Sequence, residues 1–290
     1  MTVIAMTREM GSRGREVALG LADRLGLKII HHELVEQDLA ARLNLHESAV
    51  HHFLEGDVSL FDRWKIDRTR LSLYTKEEVL ELACLGNVLI RGWGAAQLLR
   101  TVGNVLCIRV CAPMRHREDE ILARVSLKDR NEARAEIERN DAAHAKVIQR
   151  MFKADWRDPE HYDMVLNTER LPIDVCVDQV ARLTALPNFQ STERSRRALT
   201  DKLIEFRIRR SLDGLSNNEG LAPSLRISVD AGKVSLDGIA ADNEIANMIE
   251  RTAKQTEGVI EVDNKMQIAS VVGFNPSTLV PDVTYGKRWS

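Results

Sequence analysis

Cysteine is sparse, four residues in 290, and none falls at metal-ligand spacing, which excludes a disulfide framework and a zinc ribbon. Cys84, Cys107, Cys111 and Cys176 read as buried thiols of a reducing compartment, with Cys107 and Cys111 on one face of an extended run. No apolar stretch approaches the roughly 18 residues of a membrane span, so the chain is expected not to be transmembrane. Met1 to Glu9 holds a short apolar run with no basic segment before it. That is not a signal-peptide pattern, and a cytoplasmic location is the expectation. An excess of positive charge is missing as well. Lys and Arg number 41 against 43 Asp and Glu, net −2, so nucleic acid is not an expected partner. Internal repeats and low-complexity tracts are not evident. What is present is 44% apolar residues, enough core for one large domain or two ordinary ones.

Two halves differ in pattern. Up to residue 186, strand-like runs at Thr2–Met6, Leu27–Ile30, Asn87–Arg91, Asn104–Cys111 and Met164–Asn167 alternate with amphipathic helical segments. Such alternation predicts an α/β domain, a parallel sheet with helices on both faces. Residues 33–85 read as largely helical, 115–151 as a long charged helical stretch, and Ile173 to Leu183 as a last helix. Residues 187–195 are polar and turn-rich, a linker. Residues 196–270 then read as a small α+β domain of order αββαβ, with a hairpin turn at Asp230–Lys233, an N-cap at Asp242, a helix closed by Gly258 and a third strand over Val259–Ile268. Residues 271–290 form an expected tail. Residues 191–211 carry seven basic and three acidic groups, read either as a solvated helix face or as a contact for an anionic partner.

The turn Arg8-Glu-Met-Gly-Ser-Arg-Gly-Arg-Glu16 follows the first strand and opens a helix. Its glycines and the helix N-terminus suit a concave anion site, yet the strict GxxxxGK[ST] pattern is absent. The spacing alone leaves two readings, a phosphate cradle or a plain tight turn. His31-His32 and His51-His52 lack ligand partners at suitable spacing, so no metal site is expected. Trp64, Trp93 and Trp156 read as packing residues. Asp163 and Asn167 read as strand-end groups.

The run Ile4-Ala-Met-Thr-Arg-Glu-Met-Gly-Ser-Arg-Gly-Arg-Glu-Val-Ala18 resembles the opening of the cytidylate-kinase-like family. Leu21-Ala-Asp-Arg-Leu-Gly26, Leu89-Ile-Arg-Gly-Trp-Gly94, Val110-Cys-Ala-Pro-Met-Arg-His-Arg117 and Asp155-Trp-Arg-Asp-Pro-Glu-His-Tyr-Asp163 resemble further family segments in order, over residues 1–185. The last matches a Trp-x-Asp-Pro run in which the second position is unspecified. The resemblance implies a P-loop-kinase-like nucleoside-monophosphate-kinase fold over residues 1–186, with ATP and Mg2+ as cofactors. It places donor phosphates on Arg8, Gly11, Ser12, Arg13, Gly14, Arg15 and Glu16, and substrate on His31 and Arg91. Arg15, Arg117 and Arg139 are the implied catalytic cations. Three positions depart from the family: Arg13 replaces Gly, His31 replaces Asp, and His144 replaces the Arg of an Asp-x-x-Arg element.

Gly232-Lys-Val-Ser-Leu-Asp-Gly-Ile239 and Glu257-Gly-Val-Ile-Glu-Val-Asp-Asn-Lys265 resemble the BON domain over residues 196–270. That resemblance implies a binding module for a protein or phospholipid partner. Two functions stay open. One is ATP-dependent phosphoryl transfer to a nucleoside monophosphate, cytidylate first. The other is a catalytically degenerate nucleotide sensor or scaffold that binds its partner through the BON-like module.

Overall fold

A computed structural model of the chain describes residues 1–30, 37, 39–42, 46, 48, 50, 68–92, 94–124, 129–215 and 225–269. The expectations for His31, both His pairs, Trp64, Trp93 and the tail lie outside the described residues.

Five strands, β1 (Val3–Arg8), β2 (Lys28–Ile30), β3 (Val88–Arg91), β4 (Val105–Cys111) and β5 (Met164–Asn167), form one sheet. Its order is β2-β3-β1-β4-β5 and every pairing is parallel. Strand alternation divides the core in two. Val3 and Ala5 of β1, Val88 and Ile90 of β3, and Val105 and Cys107 of β4 face one apolar cluster. Ile4 and Met6, Leu89, and Leu106, Ile108 and Val110 face the other. A strand buried on both faces reads as a continuous apolar run, which is why β1 and β4 carry so few polar residues. The second cluster is closed by α1 (Gly14–Leu25) and α6 (Ile173–Thr184), with Val17, Leu21, Cys176 and Val180 buried. Gly26 ends α1 in the left-handed conformation (φ 64°), as expected of a C′ glycine. The first cluster is covered by α2 (Arg68–Leu85), α3 (Ala95–Leu99) and α5 (Arg130–Phe152).

The charged stretch read as one helix is two. α4 (Met114–Arg124) precedes α5, and Asp129 caps α5 by accepting the N–H groups of Asn131 and Glu132 at 2.8 and 3.0 Å. An acidic N-cap starts a new helix because it satisfies orphan donors that a continuing helix would not have.

α7 (Glu193–Leu215) belongs to both halves. Leu199 and Leu203 enter the first cluster beneath the sheet, whereas Ile204, Ile208 and Leu212 enter a third cluster with Ile227, Val234, Leu236 and Ile249. Burying each leucine contributes about 2 kcal/mol, so the helix is held from both sides. The basic run is answered by the chain's own acids, chiefly on α2. Arg207 pairs with Glu81 at 2.9 Å, Glu257 at 2.8 Å and Glu77 at 3.8 Å, and Arg210 pairs with Glu77 at 2.8 Å.

The small domain continues with β6 (Arg226–Asp230), β7 (Lys233–Asp237), β8 (Ile239–Ala240), α8 (Asn243–Gln255), β9 (Glu261–Asn264) and β10 (Gln267–Ile268). Ala231 and Gly232 turn the β6–β7 hairpin with φ of 50° and 77°, and Asp201 of α7 accepts both their N–H groups at 2.9 Å. Asp242 caps α8. Two details differ from the sequence reading. The third strand is split: β9 pairs with β7, and β10 pairs with β8, both parallel. Gly258 does not close α8, which ends at Gln255 with Thr256 as its cap. Gly258 sits instead where α7 approaches, and a Cβ there would lie 2.9 Å from Ile204 Cδ1. No helix among the described residues is long and apolar enough to cross a membrane.

Candidate phosphate-binding site

All five strands end on one edge of the sheet, and the order reverses on either side of β1. In such folds a crevice opens beyond the carboxyl ends of the strands at that switch. The turn from Glu9 to Arg13 lies there, between the end of β1 and the start of α1. It is not a loose loop. Ser12 donates its hydroxyl to the Glu9 carbonyl at 2.7 Å, and Thr168, just after β5, donates to the Ser12 carbonyl at 2.7 Å. Gly11 has φ 75°, and a Cβ there would lie 2.6 Å from the Arg117 carbonyl oxygen. Only glycine fits both that conformation and that approach. The N–H groups of Arg13, Gly14 and Arg15 make no hydrogen bond among the described residues. They stand at the positive end of α1, the arrangement that receives a phosphate.

Arg13 is itself left-handed (φ 56°) and caps α1 without a side-chain hydrogen bond. A side chain in that region costs about 1–2 kcal/mol relative to glycine. Its guanidinium reaches Glu16 and Glu120 at 3.8 Å each. Glu16 is paired with Arg124 as well.

Beneath the turn lies a buried ionic network. Glu9, 6% exposed, accepts from Arg109 Nη2 at 2.6 Å and from the Ala112 N–H at 3.2 Å. Arg117, 3% exposed, donates from Nε to the Met10 carbonyl at 2.6 Å and from both terminal nitrogens to Asp141 at 2.8 and 2.9 Å. Arg157 joins the same carboxylate at 3.0 Å. Trp156 is buried between the Arg109 and Arg157 guanidiniums, which lie 5.3 and 5.4 Å from its ring centre. His144 meets the edge of that ring at 4.6 Å, and its Nε2 is buried without a hydrogen-bond partner. Burial, helped by the Arg8 and Arg109 charges, pushes the imidazole pKa down to about 4, so it is neutral at pH 7. Asp141, Trp156 and Arg157 also line an open cleft of about 770 Å³ beside α5.

The structure gathers some sequence candidates and not others. Arg8, Gly11, Ser12, Arg13, Gly14, Arg15 and Glu16 make up the turn and the first turn of α1. Arg15 is exposed with no partner among the described residues. Arg91 ends β3 in register with Met6, at the same sheet edge. Arg117 is fully engaged beneath the turn rather than on the helix surface. Arg139 is exposed and paired with Glu136. It lies two residues from Asp141, hence about 200° around α5 from the network. Glu9, which the resemblance marks as a residue that pairs with Arg8 or orients the turn, pairs with Arg109; Arg109, Asp141 and Arg157 are assigned no role by the sequence. A signal existed for two of them: Arg109 interrupts the apolar β4 run, and Asp141 falls on the buried stripe of Ala133, Ile137 and Ile148. A charge in such a place needs a buried partner.

A magnesium site built from the protein alone is not found among the described residues. Glu16 is the carboxylate next to the turn, and its charge is already met by Arg124 and Arg13. The cradle fits phosphate; the residues around it do not by themselves fit a resident metal.

The family model for the cytidylate kinase-like family matches residues 3–170, and the BON domain model matches residues 200–270. The cytidylate kinase of Pyrobaculum aerophilum is 25% identical over 177 residues, covering 61% of this chain and 89% of that protein. The cytidylate kinase of Pyrobaculum islandicum is 26% identical over 178 residues, covering 60% and 88%. A crystal structure of an uncharacterized protein from Eubacterium ventriosum matches with TM-score 0.50 at 16% identity, covering 63% of this chain and 98% of that one. That last likeness concerns the fold.

Proposed function

The chain belongs to the cytidylate kinase-like family and carries a BON domain, and on that premise we propose that residues 1–186 catalyse ATP-dependent phosphoryl transfer to a nucleoside monophosphate, with cytidylate the first acceptor to test. The observation that carries this reading is the cradle: three unpaired N–H groups at the start of α1, at the carboxyl edge of the central strand. In the proposed reaction an acceptor phosphate oxygen forms a bond to the γ-phosphorus. The bond from that phosphorus to the β,γ-bridging oxygen breaks, and its electron pair leaves with ADP. The attacking oxygen is already ionised at neutral pH, since the second phosphate pKa is about 6, so no general base is required. Catalysis then consists of positioning and charge neutralisation. Arg13, Gly14 and Arg15 hold donor phosphates by their backbone N–H groups, Gly11 and Ser12 shape the turn, and the Arg8 and Arg15 side chains add charge from the edge. Arg117 acts through the turn, fixing the Met10 carbonyl. Arg91 faces the acceptor side. Magnesium would enter with the nucleotide and would supply charge neutralisation at its phosphate oxygens, Glu16 being the carboxylate beside the turn. The BON domain offers the surface for a protein or phospholipid partner.

A second reading is favoured by one observation: the imidazole of His144 carries no charge at pH 7, where the resemblance implies a guanidinium. In that reading the site binds nucleotide without transferring phosphate. A screen of Mg-ATP with each ribo- and deoxyribonucleoside monophosphate separates the two. Diphosphate formation with one acceptor, lost in Arg15→Ala, supports the kinase. ATP binding by titration without transfer to any acceptor supports the sensor.

A further inference from the structure

Where the resemblance implies an arginine, position 144 carries a neutral ring, and the Trp156 ring that it meets also carries the Arg157 guanidinium. Three arginines are ion-paired around Glu9 and Asp141. Two of them are spent within the protein. Arg109 is held by Glu9 and by the Arg157 carbonyl at 2.6 and 2.7 Å, and every nitrogen of Arg117 is engaged. Arg157 differs. Its side chain is 54% exposed, it opens on the cleft, and Nη2 alone meets Asp141, while Nε and Nη1 have no partner among the described residues. Its backbone is fixed on both sides, by the Asp155 carboxylate on its N–H at 2.9 Å and by Arg109 on its carbonyl. Its guanidinium lies over Trp156, the ring that His144 and the Arg109 guanidinium also meet. A short chain of contacts joins it to the phosphate turn: Met10 carbonyl, Arg117, Asp141, Arg157.

We propose that Arg157 supplies the guanidinium that contacts the transferred phosphoryl group, from the unspecified position of the Trp-x-Asp-Pro run, in place of the cation that position 144 lacks. The inference rests on the phosphoryl-transfer reading of the site. Chemically, Arg157 keeps Nη2 on Asp141 and turns its free donors toward the equatorial oxygens, where charge spreads in the transition state. His144 fills the space beside Trp156 as an uncharged ring. No bond to Arg157 forms or breaks, and no proton moves.

The test compares Mg-ATP and Mg-ADP binding to the full-length protein by titration, in the native sequence, in Arg157→Gln and in Arg157→Gln with His144→Arg. A contact to the third phosphate weakens ATP about tenfold in Arg157→Gln and leaves ADP unchanged, because a charge-assisted hydrogen bond to phosphate is lost. The added arginine at 144 restores ATP affinity. Where the native chain turns over, kcat falls at least about a thousandfold in the single variant, the lower end of what such arginines supply. Equal weakening of ATP and ADP, or no change in either, overturns the proposal, and so does an absence of ATP binding to the native chain. A native chain that transfers to no acceptor, yet shows the ATP-selective loss and its rescue, supports the Arg157 contact while the kinase reading falls.

Discussion

Two buried ionic networks hold this molecule, and they differ in sign. Under the phosphate turn, among the described residues, Glu9 and Asp141 are ion-paired to Arg109, Arg117 and Arg157, one cation in excess. Where α7 crosses α2, again among the described residues, Glu77, Glu78, Glu81 and Glu257 are ion-paired to Arg42, Arg207 and Arg210, one anion in excess. The first network lies at the sheet edge where an anionic ligand would complete it. The second lies between two packed helices, with Glu257 at its exposed edge. Burial pushes the Glu77 carboxyl pKa up against the pull of Arg210 and Arg207. An unbalanced network in a crevice is poised for a ligand; an unbalanced network in an interface makes docking depend on pH.

Breaking the first network has the largest expected effect. Asp141→Ala strips the partner from the buried Arg117 guanidinium and from Arg157, and removal of one member of a buried pair costs about 3–5 kcal/mol. Urea denaturation at pH 7 measures it; a loss below about 1 kcal/mol would mean that the network is not the brace of the turn. The pH dependence of the same region comes next. A histidine held neutral when folded contributes stability above its unfolded pKa and loses it as pH falls toward the folded value. His144 thus removes up to about 3 kcal/mol between pH 6.5 and 4, and His144→Gln flattens the urea midpoint across that window relative to the native chain. Parallel curves would sink the assignment. Arg207→Gln acts on the second network and is smaller, about 2 kcal/mol, because the guanidinium is part exposed. Its loss is greater at pH 8 than at pH 5, since Glu77, whose carboxyl pKa burial raises, is then ionised with one cation fewer, Arg210 alone of the α7 pair remaining. Hydrogen exchange should show protection falling in β6, β7 and β9 with β1 and β4 unchanged; an equal loss in all five strands would show that the staple is not specific to the interface.

Much of this was legible in the chain. The apolar runs of β1, β3 and β4 announce a doubly covered parallel sheet, because each such run has no polar face to show water. Gly11 and Gly14 mark the turn, and Asp242 marks the start of α8. The break between α4 and α5 was not read, although Asp129 is an N-cap residue, because charged residues continue on both sides of it. The double role of α7 was not read either. Ile204 follows Leu203 by one position and Leu199 by five, about 100–140° around the helix, and a pattern with apolar residues on two faces looks like a weak stripe rather than two good ones.

The sequence by itself determined which segments form the parallel strands, where a tight glycine turn opens the first helix, and that two modules follow one another, since periodicity and backbone freedom are local properties. Tertiary structure alone decided the pairings: Glu9 with Arg109 across 100 residues, Arg117 and Arg157 on one carboxylate, Arg207 among three glutamates. The reason is physical. A charge announces that it needs a partner once buried, but burial and the identity of the partner exist only after the sheet and its helices have closed over it.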